Sequence, residues 1–204
     1  MGNLTDLFPA PASNSVLETL MGVADGRSVT VPSGTYTFGN VTANQGLSTS
    51  YADVTGSSIT YTPPAEANYV SYKFSYESDS WDGNYGSSGI HHIALYLGGT
   101  RVARANKSVS GNYSGSHSNN HASFTQNIEF VFDLTASSDD IANGKLAGWT
   151  SAKEIKVMAR DYSSPYYRAT IHTNIWRDSS GASGEFTYYQ PITKHTQHLS
   201  LIHI

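Results

Sequence analysis

Residues 69–77 read Tyr69-Val70-Ser71-Tyr72-Lys73-Phe74-Ser75-Tyr76-Glu77. Val70, Tyr72, Phe74 and Tyr76 alternate with Ser71, Lys73, Ser75 and Glu77. Successive side chains of a strand point to opposite sides, so this period places the aromatic set on one face and the polar set on the other. Strict alternation of this kind predicts a half-buried antiparallel strand.

The same period recurs along the chain. Val29 and Val31, then Tyr36 and Phe38, flank the turn Pro32-Ser33-Gly34 and predict a hairpin. A strand over 57–62 ends at Pro63-Pro64. Ile93, Leu95 and Leu97 lead through Gly98-Gly99 into Val102. Ile128, Phe130, Phe132 and Leu134 form a further face, followed by Ile155, Val157 and Ala159, then Ala169, Ile171, Thr173 and Ile175. A last strand covers roughly 185–193. At least eight strands with turn-rich connections predict an all-β, antiparallel jelly-roll β-sandwich.

One short helix is expected at residues 16–21. Ser15 and Glu18 have capping-box spacing, Val16, Leu17, Leu20 and Met21 share a helical face, and Gly22 stops the turn. The domain reading is an N-terminal arm and short helix over 1–26, the sandwich over 27–193, and a tail over 194–204. The stretches 78–90, 105–124 and 135–151 read as loops of Ser, Gly, Asn, Asp, Tyr and Trp. Loops at the ends of a sandwich commonly carry binding.

Composition narrows the function classes. The chain has 204 residues, 38% hydrophobic and 14% charged, with a net charge of −4. That charged fraction is below the ~25% of ordinary soluble proteins. Lysine and arginine are scattered, so neither nucleic acid nor membrane is expected as a partner. Without cysteine there is no disulfide and no thiolate metal site. No apolar run approaches the ~18–20 residues of a membrane helix. The stretch MGNLTDLFPAPASNS carries no basic residue and no apolar core of the secretory type, so no signal peptide is expected.

Trp81, Tyr85 and Tyr113 stand in polar loops, with Asp82 and Asn84 beside the first two. Aromatics among Ser and Asn can stack on sugar rings or anchor a protein contact. These five residues are the candidate ligand-binding set. Asp79, Asp82 and Asn84 around Gly83 suggest calcium but lack the loop spacing and the closing Glu, and a turn explains them. His91 and His92 are adjacent in a strand and point to opposite faces, so they cannot share one metal without a bulge. A site would need His172 or a loop histidine, and no metal or other cofactor is expected. His117 and His121 are four apart in a stretch that is not helical. No nucleophile elbow, glycosidase carboxylate pair or phosphate loop is present, and no catalytic residue is assigned.

The phrases Val16-Leu17-Glu18-Thr19-Leu20, Asp25-Gly26-Arg27-Ser28-Val29-Thr30-Val31 and Ser33-Gly34-Thr35-Tyr36-Thr37 resemble a family of marine, cyanophage-like bacteriophage structural proteins. So do Asn40-Val41-Thr42, Gly56-Ser57-Ser58-Ile59-Thr60-Tyr61-Thr62-Pro63-Pro64 and Trp149-Thr150-Ser151-Ala152-Lys153-Glu154-Ile155-Lys156. The resemblance spans about 15–193 and implies a non-enzymatic virion protein with a C1q/TNF-like jelly roll. A homotrimer at a tail-fibre tip, head fibre or decoration site would act in host adhesion or particle architecture, beside other virion proteins and a host surface glycan. Residues 1–26 would attach it or lock the trimer, and three copies of His91 or His92 could meet on its axis. The closing LSLIHI resembles translated adapter read-through of metagenomic assemblies, so 194–204 are expected to be non-native. The alternatives are a carbohydrate-binding module of a secreted protein and, behind it, a polysaccharide depolymerase.

Overall fold

The computed structural model describes residues 15–81, 90–110, 121–163, 168–172, 174–176, 186–188 and 196–203. In chain order its strands are β1 (Ser15–Val23), β2 (Ser28–Val31), β3 (Gly34–Thr37), β4 (Gln45–Gly46), β5 (Ala52–Asp53), β6 (Ile59–Tyr61), β7 (Tyr69–Trp81) and β8 (Ile90–Leu97). They continue with β9 (Thr100–Ser110), β10 (His121–Asp133), β11 (Lys153–Asp161), β12 (Arg168–Ile171), β13 (Asn174–Trp176), β14 (Phe186–Tyr188) and β15 (Thr196–His203).

The alternating stretch of 69–77 is the heart of β7. This strand pairs antiparallel with β10 along its whole length, from Tyr69 against Asp133 to Trp81 against His121. Its other edge takes β15 at residues 69–74 and β12 at 78–81, with β1 beyond β15 and β4 beyond β12. The second sheet runs β9, β8, β11, and then β5 and β6 side by side on the far edge of β11. The two sheets face each other as an antiparallel sandwich. Val70, Tyr72, Phe74 and Tyr76 meet Ile93, Leu95, Leu97, Ile155, Val157 and Ala159 in one core, all essentially without solvent contact. The hairpin expected around Pro32-Ser33-Gly34 is β2–β3.

The expected helix at 16–21 is instead strand β1, which lies against β15 with a register shift between Val16 and Thr19. A helix of six residues is too short to hold itself in water, whereas a strand gains a ladder with its neighbour. Helical packing would hide Val16 and Met21, yet they are 58% and 59% exposed, while Glu18 and Leu20 point inward. Gly22 does not stop a helix. A Cβ there would stand 2.4 Å from the Phe38 ring, so the missing side chain admits that ring to the core.

Glu18 does cap something, but not its own helix. Its carboxylate accepts from the Ser33 amide at 3.0 Å, from the Ser33 hydroxyl at 2.6 Å and from the buried Tyr61 hydroxyl. Tyr36 adds a hydrogen bond to the Thr62 carbonyl at 3.0 Å. These contacts tie β1, the β2–β3 turn and β6 into one unit. Burial, with the Glu18 charge beside it, pushes the Tyr61 hydroxyl up, so it stays a donor.

Two further expectations change at the strand ends. The loops placed at 78–90 and 105–124 begin late and end early, because β7 runs on to Trp81, β9 to Ser110, and β10 starts at His121. Backbone pairing carries these strands past the point where apolar alternation stops. The single strand expected over 169–175 is broken, because His172 has φ of 63°, a left-handed value that interrupts an extended run.

Removing the Tyr61 hydroxyl takes away one of the two donors to the buried Glu18 Oε1 and leaves only the Ser33 hydroxyl there. Tyr61→Phe should lose about 1–3 kcal/mol in urea unfolding. Gly22→Ala, which must displace the Phe38 ring, should lose a similar about 1–3 kcal/mol. A β1 outside the folded unit would leave both variants at wild-type stability.

Candidate functional site

His91 and His92 fall on opposite faces of β8. His91 has the inward parity of Ile93 and is wholly buried, with neither ring nitrogen hydrogen-bonded among the described residues. Burial lowers its pKa to about 4, and the neighbouring His92 and Lys107 charges push the same way. Its neighbour across β11 is Asp161, also buried, whose Oδ1 accepts from the Ala169 amide at 3.0 Å. His172 is buried on the opposite sheet, with its ring edge-on to Tyr76 at 6.0 Å. Among the described residues no group of three or more metal-ligating side chains is gathered.

His92 faces outward. Its Nδ1 lies 2.8 Å from the Ser108 hydroxyl and its ring stands 5.8 Å from Tyr162. It belongs to a layer of side chains on the outer face of the β9–β8–β11 sheet. The register sets the layer: Tyr96 lies between Lys156 and Arg101, Ala94 beside Met158, and His92 between Arg160 and Ser108.

Across this face runs Tyr51, just before β5. Its hydroxyl accepts from Arg101 Nη2 at 3.0 Å, although Arg101 lies on β9, two strands away from the edge where β5 pairs. The Arg101 and Arg160 guanidiniums stand over its ring, 5.0 and 5.4 Å from the centroid. Arg101 also donates from Nε to Asn106 Oδ1 at 2.8 Å, and Arg160 donates from Nη1 to the Asp161 carbonyl at 3.1 Å. Ala94, the smallest outward residue of β8, is fully buried in this layer. At one end Tyr162 is 53% exposed.

The outer face of the other sheet differs in kind. There Ser75 donates to Asn127 at 2.5 Å, Thr125 donates to Glu77 at 2.6 Å, and Lys73 pairs with Glu129 at 3.7 Å. Polar side chains answer one another across β7 and β10, with Val131 48% exposed beside them.

Of the residues singled out in sequence, Trp81 is the last residue of β7 rather than a loop residue, paired in backbone with His121 and Arg168. Asp82, Asn84, Tyr85, Tyr113 and His117 lie outside the described residues. The strand ends that flank them are informative. Trp81, His121 and Arg168 share one rank in the first sheet; in the second, Ile90 pairs with Ser110, and Asp161 lies one step in, opposite His91. β7, β9 and β11 therefore finish, and β8, β10 and β12 begin, at the end that carries His92 and Tyr162. Sequence reasoning missed Tyr51, Arg101, Arg160 and Tyr162. Outward parity marks Arg160, but nothing local shows that Tyr51 spans two strands to reach Arg101.

No protein-family model and no curated protein matches the chain. Among solved structures, a similar one is described as "EclA C-terminal domain; sugar-binding protein", at 11% identity and TM-score 0.26, covering 81% of this chain and 79% of that one. At that TM-score the likeness is no basis for a shared fold or ligand.

The buried His91 makes stability depend on pH. The unfolded chain takes up its proton near the ordinary 6.5 and the folded chain only near 4, so between these values the unfolded state holds more protons. Stability from this group is intact above 6.5 and falls by about 3 kcal/mol as pH drops toward 4. His91→Phe should flatten that part of the stability curve in urea titrations at stepped pH. An unchanged slope in the variant would show that His91 is hydrated or paired in solution.

Proposed function

We propose that this chain is a non-catalytic glycan-binding β-sandwich whose binding surface is the outer face of the β9–β8–β11 sheet. The observation that supports it most is the contrast between the two outer faces. One pairs the polar side chains of β7 and β10 with each other and carries no exposed aromatic ring among the described residues. The other presents tyrosines, a histidine, two arginines and an asparagine fixed by mutual contacts. Sugars are recognised by flat rings laid against their C–H faces and by planar polar side chains that bond neighbouring hydroxyls. Tyr162, braced by His92, offers the ring. Arg101, Arg160 and Asn106 offer the planar donors and acceptor, held in place before any ligand arrives.

Asp82, Asn84, Tyr85 and Tyr113 stay candidate ligand contacts on the sequence alone, as residues outside the described ones. The virion setting implied by the sequence resemblance is part of the same proposal. A homotrimeric adhesin would show the face in three copies, and linked weak sites bind far more tightly than one. Light scattering that gives the mass of a monomer would remove this part.

Affinity electrophoresis through gels containing soluble polysaccharides tests the surface. Tyr162→Ala and Tyr51→Ala should each weaken retardation about threefold to tenfold, the worth of one aromatic contact. Asn127→Ala, on the opposite outer face, should leave it unchanged. Wild-type retardation in both tyrosine variants would move the site elsewhere or remove it.

A further inference from the structure

We infer that the glycan recognised by this face is an acidic one, carrying carboxylate or sulfate groups that Arg101 and Arg160 bind on the Tyr51 crosspiece. The inference rests on the glycan-binding reading above and adds the ligand's charge.

The cations of this face are not equivalent. Lys156 is neutralised within the protein, with its ammonium 3.0 Å from Asp53 and 3.4 Å from Glu154. Arg101 and Arg160 have no carboxylate partner among the described residues. Arg101 uses Nε on an amide oxygen and one Nη on a phenol, and Arg160 uses one Nη on a backbone carbonyl. Each contact is with a neutral group, so both charges remain, and each fork keeps free N–H donors. A guanidinium fork matches the two oxygens of a carboxylate, or of a sulfate, and its charge doubles the strength of such bonds. The two charges share a single tyrosine ring, which holds like charges close together without an anion between them. The same field reaches His92, whose pKa is lowered by burial first and then by Arg160 and Arg101.

Placement separates this from a nucleic-acid surface. The whole chain carries net −4, and Lys156, the third cation on the face, is already paired. A phosphate backbone is bound by a long basic track, whereas two arginines on one ring suit one or two anionic groups on a sugar chain.

Matched polysaccharides give the test. Polygalacturonate and its methyl ester share a backbone and differ in whether the carboxyl is ionised or esterified, and dextran sulfate and dextran differ only in sulfate. The full-length chain should bind at least one acidic member about tenfold or more tightly than its neutral match. That preference should shrink as sodium chloride rises from about 50 to about 500 mM, because salt screens exposed charges. Arg160→Gln and Arg101→Gln should each reduce the preference several-fold while thermal melting confirms the fold, and Arg160→Lys should restore part of it. Binding to the polygalacturonate alone assigns the anion as carboxylate, and to dextran sulfate alone as sulfate. Equal binding of acidic and neutral members, or a preference unmoved by the glutamine variants, overturns the inference and leaves the glycan reading standing. Binding to none of the four, or to further neutral plant and algal polysaccharides, removes the glycan reading itself. Stronger retention of single-stranded DNA than of any glycan overturns both in favour of nucleic acid.

Discussion

A strand buried on both faces must find partners for every amide and carbonyl inside the sheet, since water cannot reach them. Strand β7 meets this demand with β10 on one edge and β15 and β12 in succession on the other. Its inward side chains are large and aromatic, and its outward Ser71, Ser75 and Glu77 are also buried, sheltered by the strands beside them. The first sheet is arranged around this one strand. The second sheet then has to cover Tyr72, Phe74 and Tyr76, and it does so with Ile, Leu and Val of β8 and β11. Tyr72 keeps its hydroxyl satisfied by reaching the Ser57 carbonyl at 2.7 Å, and the Ser57 hydroxyl in turn accepts from the Val157 amide at 3.0 Å. The core thus locks the two sheets together through polar atoms as well as through buried area.

The Glu18 cluster performs the same service at the sheet's far side. A buried carboxylate is costly unless donors surround it, and Ser33 and Tyr61 supply them from two other elements. Such a contact fixes which loop lies against which strand, something that apolar burial alone leaves loose. His91 stands in contrast. It is buried without such donors, and it stays neutral because charging it there would be more costly still.

The proposed asymmetry in function follows from how outward positions are used. On β7 and β10 the outward polar residues answer each other across the strand pair. On β8, β9 and β11 they are long, and Tyr51 gathers two of the arginines over a single ring. Rigid strands set their spacing, and hydrogen bonds to Asn106 and the Asp161 carbonyl set their direction. A surface built this way loses little freedom when it binds, which is the physical basis for assigning recognition to it rather than to its opposite.

Alternation in the sequence determined the sandwich, the core face of β7, β8, β10 and β11, and the opposite facing of His91 and His92, because side-chain direction in a strand is a local property with a period of two. It misjudged residues 16–21, where helix and strand patterns overlap and only the ladder with β15 decides between them. It also ended β7 and β9 too early and began β10 too late, because Ser, Asp and Asn reveal no face once the backbone alone carries the pairing. His172 broke an apparent strand because its backbone takes a left-handed φ of 63°, which residue type alone does not announce. The tertiary structure alone decided the candidate site. Tyr51, Arg101 and Arg160 are far apart in the chain, and they meet only because β5, β11, β8 and β9 lie side by side. Sequence records which face a residue takes, but distance between faces and strands comes from hydrogen-bonded register, which is a property of the whole sheet.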